Sequence, residues 1–284
     1  MKDNKKNKIV YEPDRFIKTG FLLGWKEMAA SLFMSRELIW RLFLRDFNAR
    51  YRQSLLGISW ALLNPVITVG IFVFLNRSGI LNIGNTLVPY PVFAAIGISI
   101  YGIFSAGLSA ASNSIVGAGS MVVKINFPKI SLVIAAMLQA VAEFIVRLVL
   151  IAILLVIYGV APSWTSLLLP FALLPLFLLT LGVGLILSLM AGVFRDVIYI
   201  VSFFTMLLLF LVPALYPPPQ TGILASINNW NPLSQLIVGC RDIIISDGLT
   251  DPSGFLFATI CSVVVFLFSW RIFFLSEPRI AERI

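Results

Sequence analysis

The chain has 284 residues, 59% of them hydrophobic and 12% charged, with a mean hydropathy of +0.97 and a net charge of +8. A water-soluble domain cannot cover that much apolar surface, so a soluble enzyme is excluded and lipid is the solvent for much of the chain. Histidine is absent, which removes His-based triads, most zinc sites and imidazole proton shuttles.

In chain order, residues 1–15 are polar, and residues 16–34 read as a first surface helix. Residues 36–52 form a clearer amphipathic helix. Leu38, Ile39, Leu42, Phe43 and Phe47 recur at helical spacing, while Arg41, Arg45 and Arg52 occupy another face. Such a helix can rest on anionic headgroups, and its cationic face also offers a surface to a soluble partner. The run then passes without a break into an apolar segment. Spans long enough to cross about 30 Å of hydrocarbon are expected at 57–77, 91–116, 132–158, 167–193, 198–216 and 255–275.

Charge placement orients these spans. Twelve of the 21 Lys and Arg precede the first span, and 18 in all fall on one side of the expected map. The positive-inside rule puts both termini in the cytoplasm, and an even span count agrees. The basic balance thus reflects orientation, and nucleic acid is a poor partner for it. No Trp falls at a span centre, as an interfacial belt requires.

The loop between spans 2 and 3 is short and basic. Lys124 and Lys129 bracket Asn126, Phe127 and Pro128; a Phe among charges reads as a plug for a partner's groove. Span 3 carries Glu143 and Arg147 near its middle. Their i, i+4 spacing puts acid and base on one face in the favourable order, and ionisable groups inside a span avoid lipid. A structural ion pair and a substrate contact are both open readings. After span 5, residues 233–245 are apolar enough to enter the membrane but too short to cross it, with Asn231-Pro232 as a break before them. A re-entrant segment on the outer face is expected there. Cys240 and Cys261 are expected to be free thiols. No phosphate-cradling G-x-x-x-x-G-K-[ST] loop occurs, so the chain reads as a conduit whose energy source lies on another polypeptide.

Several stretches together carry a family resemblance. Arg50 to Gly57 (RYRQSLLG), with Trp60 and Asn64-Pro65, closely resembles the start of type-2 ABC transporter permeases of the polysaccharide-export branch. This branch moves O-antigen, capsular polysaccharide or teichoic acid. Pro89 to Phe93, Lys124 to Lys129, Phe194 to Asp196, and Asn231 to Leu233 with Arg241 follow in the family's order. The resemblance implies an all-α integral membrane protein with six transmembrane helices, an N-terminal amphipathic interfacial helix and a re-entrant outer segment between spans 5 and 6. The expected regions are a cytoplasmic tail and surface helix (1–35), the interface helix (36–56), the transmembrane domain (57–275) and a cytoplasmic tail (276–284).

The resemblance further implies a transport subunit, not an enzyme, in a bacterial inner (plasma) membrane. It would form a homodimer with two copies of a cytoplasmic ABC ATPase, which would carry the ATP and Mg; this chain would bind no cofactor. Its substrate would be a lipid-linked glycan. A permease for a drug or small lipid is the alternative, and a proton-coupled carrier a more distant one. Coupling to the ATPase would fall to Arg41, Arg45, Arg50, Lys124, Asn126, Phe127, Pro128 and Lys129. Asn231, Pro232 and Arg241 would shape the outer gate. Aromatic faces can stack on sugar rings, which makes Tyr101, Phe104, Phe72 and Trp60 candidates for the channel wall; Phe74, Phe203, Phe204 and Tyr216 are further ones.

Overall fold

The computed structural model describes residues 21–280, apart from 53–54, 82 and 126. Among the described residues every regular element is helical. Helices α1 (Phe21–Met34) and α2 (Arg36–Arg52) are separated only by Ser35, whose hydroxyl donates to the Ser31 carbonyl at 2.8 Å. A 3-10 turn, Gly57–Ser59, leads into α3 (Trp60–Arg77). Gly57 has φ 51°, a left-handed conformation that a side chain would strain. Then follow α4 (Tyr90–Ala118), the short α5 (Ser120–Lys124), α6 (Ile130–Ile157), a 3-10 turn Trp164–Leu168, α7 (Leu169–Val193), α8 (Asp196–Leu211), α9 (Ile223–Trp230), α10 (Pro232–Ile245) and α11 (Pro252–Ile280).

Among the described residues five helical stretches are long and apolar enough to cross a membrane, at Gly57–Arg77, Tyr90–Ala118, Ile130–Ile157, Trp164–Val193 and Pro252–Glu277. The fifth expected span, 198–216, is helical only through Leu211. Its 16 residues give a rod of about 24 Å at 1.5 Å per residue, shorter than a typical hydrocarbon core. The helix stops where Val212 turns extended before Pro213, because the residue before proline avoids helical backbone. At the chain's other end the expected tail from 276 is still helical, since α11 continues to Ile280.

Helix α4 is the centre of the bundle. It packs against α6 on one side and α7 on the other, with α3, α8 and α10 closing the remaining directions. Its sequence explains the choice. Ala94, Ala95, Gly97, Ser99, Gly102, Ala106 and Gly107 leave little bulk, and small residues let helix backbones approach closely in lipid, where no hydrophobic effect drives them together. Helix α11 packs on the far side of α7. The Cβ-free face of Gly182 there lies about 3 Å from the backbone of Phe266. The surfaces of α3, α8 and α11 carry exposed Ile67, Phe74, Phe203, Phe204, Phe210, Ile260 and Phe268, as expected of helices solvated by lipid tails.

Helix α2 does not lie apart from the bundle as a free surface helix. Ile39, Leu42 and Phe43 are buried in one cluster with Ile115, Val122, Phe127, Ile130, Val133 and Phe273. Its last turn reaches Glu143 of α6. So α2 leans along the first half of α6, covering roughly 20 Å of it. Helix α1 is tied to the end of α11: Met28 is buried, Trp25 meets Trp270 edge-on at 5.8 Å, and the Arg271 guanidinium lies against Gly24.

Candidate functional site

The loop after α5 does not project outward. Phe127 is only 8% exposed and sits in the cluster formed with α2 and α6, which corrects the expectation of a free plug. A Phe ring beside a sheath of Ile and Leu gains more from burial within its own chain than from water. Lys129 is buried as well. Its backbone N–H donates to Glu277 at 2.8 Å, and its ammonium lies 3.4 Å from the Phe127 carbonyl. Glu277 of α11 therefore ties the loop to the last helix, a role that its place in the expected tail gave no reason to suspect. Lys124 remains exposed and Pro128 is half-buried; Asn126 lies outside the described residues.

Of the five arginines of α2, the three expected to couple to a partner make different contacts. Arg41 pairs with Glu37 at 2.6 Å and Arg45 with Asp46 at 2.7 Å, both on the exposed face. Arg45 also approaches the Met121 sulfur at 3.3 Å. Arg50 is as exposed as Arg45 but reaches α6, where it donates to Glu143 at 2.6 Å. It is thus engaged within its own chain while its side chain stays half-exposed.

Glu143 and Arg147 are both buried and form the expected ion pair, at 3.2 Å. The pair is not isolated. One carboxylate oxygen takes Arg50 and the Tyr51 hydroxyl (3.4 Å), and the other takes Arg147. Burial, and next the charge on Glu143, hold the Tyr51 phenol above its ordinary pKa, so it remains a neutral donor. The Arg147 guanidinium fills the space where Gly102 of α4 lacks a Cβ. Beside the cluster lies a pocket of about 250 Å3, lined by Arg50, Tyr51, Trp60, Asn64, Glu143 and Arg147 and closed below by Gly57 and Ala61.

A second buried arginine organises the opposite end of the bundle. Arg241 of α10 is fully enclosed. It donates to the carbonyls of Pro213 (2.8 Å) and Ala214 (2.7 Å), and its guanidinium stacks 3.8 Å from the Phe93 ring centre. It therefore satisfies the backbone that α8 leaves open where it stops, as cations do at helix C-termini. Gly97 makes the room for it, since a Cβ there would collide with both the Ala214 carbonyl and Arg241. Gly97→Ala is accordingly expected to lower the melting temperature of the purified chain strongly; an unchanged melt would mean that α4 does not approach this turn as closely as described. Asn231 caps α10 by accepting from the Leu233 N–H at 3.0 Å, with Pro232 in the first turn. Gly97 and Gly102 of α4 each provide the seat for a buried arginine.

The aromatic expectations divide. Tyr101 and Phe104 are 4% and 6% exposed, within the core between α4 and α8, and the Tyr101 hydroxyl donates to the Thr205 carbonyl. They fill the spaces that small neighbours leave, so they line no open surface of this chain. Phe72 is half-buried against Phe210, whereas Trp60, Phe74, Phe203 and Phe204 are exposed. Cys240 and Cys261 are free thiols. Among the described residues no group of His, Cys, Asp and Glu could hold a metal ion.

Long apolar helices around a small-residue centre, with charged groups held at helix ends and pockets, define a multi-pass helical membrane protein. The ABC-2 type transporter family matches residues 37–245, and the chain belongs to that family. It is a transport permease, in a family whose members associate with an ABC ATPase on a separate chain. It is similar to the O-antigen export system permease protein RfbA of Myxococcus xanthus, with 28% identity over 264 residues, covering 90% of this chain and 99% of that protein. Two Klebsiella pneumoniae proteins of the same name are 26% and 24% identical, covering 72% and 71% of this chain and 79% and 78% of their own lengths.

Proposed function

We propose that the chain is the membrane-spanning subunit of an ATP-driven exporter of lipid-linked polysaccharide in a bacterial inner membrane. The observation that carries this reading is the match over nearly the whole length of an O-antigen export permease, on a family-defined transport fold. The subunit works as a homodimer with two copies of a cytoplasmic ATPase that holds the ATP and Mg. Termini and α2 face the cytoplasm, in keeping with the basic residues concentrated there.

In this arrangement α8, continued by the turn that follows it to Tyr216, is the fifth of six crossings, and α9 and α10 dip back from the outer face. Non-helical backbone at membrane depth must have its polar groups satisfied by protein; the Arg241 bonds to Pro213 and Ala214 meet that need. The ATPase acts on Arg41, Arg45 and Lys124, which are exposed. Phe127 and Lys129 relay the push because they are packed between α2, α6 and α11. Of the aromatics expected in the channel wall, Phe74, Phe203, Phe204 and Trp60 are exposed and so available to a glycan path between protomers.

The test is reconstitution with an ABC ATPase from the same organism, with ATP turnover and glycan transport followed in lipid vesicles. A 2:2 complex with turnover stimulated by lipid-linked glycan is expected. Phe127→Ala is expected to uncouple turnover from transport by loosening the packed loop. Coupled transport unchanged in that variant would remove the loop from the relay, and failure to bind any ATPase would remove the exporter reading.

A further inference from the structure

The pocket beside Glu143 has features that an internal ion-pair network does not require. It sits where α2 ends and α3 begins, so the first membrane-crossing helix starts at its rim. Trp60, half-exposed at that rim, is a residue type that settles at headgroup level. Arg50 and Arg147 against Glu143 leave one positive charge in excess. Arg147 is nine-tenths buried and lines the pocket, yet its Nε–H has no acceptor among the described residues. A buried guanidinium N–H without an acceptor is costly, and both Arg147 and the half-exposed Arg50 line the same 250 Å3 space, so a ligand oxygen admitted there meets two guanidinium groups. The Asn64 amide and the Tyr51 hydroxyl add neutral polar groups on the same wall.

We infer that this pocket is a binding site for the phosphate of a lipid headgroup. Guanidinium forks match phosphate oxygens, and basic pockets between membrane helices on the cytoplasmic side take up anionic headgroups. Arg147, fixed over Gly102, is the static half of the site. Arg50 is the mobile half: its side chain is half-exposed, so it can share itself between Glu143 and an entering phosphate. Glu143 is then a competitor for Arg50. It holds the arginine in place when the pocket is empty and sets how strongly an anion must bind to draw it away. The site itself does not depend on the export reading; only the source of the phosphate does, since a bilayer phospholipid and a polyprenyl-linked substrate share this chemistry.

The experiment is native mass spectrometry of the full chain in mild detergent, titrated with phosphatidic acid, farnesyl diphosphate and, as the phosphate-free control, diacylglycerol. Retention of a phosphate-bearing lipid but not of diacylglycerol is expected. Arg50→Gln should weaken retention about tenfold, the equivalent of one charge-assisted bond. Glu143→Gln, which keeps one of the two acceptor oxygens and removes the competing charge, should tighten it several-fold. Preference for farnesyl diphosphate supports the site with a polyprenyl ligand; preference for phosphatidic acid supports it with a membrane phospholipid. Equal retention of diacylglycerol, retention unaffected by Arg50→Gln, or weaker retention in Glu143→Gln would each overturn the assignment. Because no ATPase or transport is involved, the export reading can fail while this one holds.

Discussion

Replacing Glu143 with Ala is expected to destabilise the folded chain by about 3 kcal/mol, the lower part of the range for breaking a buried ion pair. The cost arises from what stays behind. Arg147 would remain buried over Gly102 with the Glu143 carboxylate that pairs with it gone, whereas Arg50 is free to turn toward solvent because its side chain is half-exposed. The direct measurement is thermal denaturation in detergent, followed by loss of the monodisperse peak on size exclusion. The double variant Glu143→Ala with Arg147→Met separates causes. An apolar side chain of similar length leaves no uncompensated charge, so the double variant should recover most of the loss, a strongly non-additive result. If it melts no higher than Glu143→Ala alone, the carboxylate stabilises the fold by some route other than holding Arg147.

Arg241→Ala is expected to cost roughly 3–5 kcal/mol, since it strands two buried carbonyl acceptors and leaves a cavity. The local effect is more diagnostic than the melt. The segment 212–222 loses the group that holds it to α4 and α10, so limited proteolysis should begin to cut there. Arg241→Lys should restore only part of the loss: one terminal nitrogen makes both carbonyl bonds, which an ammonium can reproduce, but an ammonium cannot stack flat on Phe93. A Lys variant as stable and as protease-resistant as the parent would mean that the carbonyl bonds alone, and not the stacked guanidinium, secure this turn.

Much of this architecture was legible before any coordinates. Apolar runs of sufficient length announced the long helices, and the i, i+4 order of Glu143 and Arg147 announced their pairing. Asn231-Pro232 announced a helix start, realised as a side-chain cap followed by proline in the first turn. Less legible was the short α8. Hydropathy continues through Val212 to Tyr216, and only the backbone rule for a residue before proline indicates where the helix ends.

The candidate site was legible in its parts and not in its assembly. Arg50 and Glu143 are 93 positions apart, and nothing in a periodic pattern on either helix points to the other. Phe127 looked exposed because its sequence neighbours are charged, yet α2 folds over it. Tyr101 was a channel-wall candidate for its aromatic face, but small residues beside it on α4 bring other helices close enough to bury it.

The sequence by itself determined the solvent, the helical class and the run of long apolar segments. Those follow from composition and local period, which each segment carries without reference to the rest of the chain. Only the tertiary structure decided which charges meet, which aromatics are left exposed and which glycines serve as seats for arginine. These depend on the distance between elements remote in the chain, and that distance is set by side-chain volume where α4 meets its neighbours.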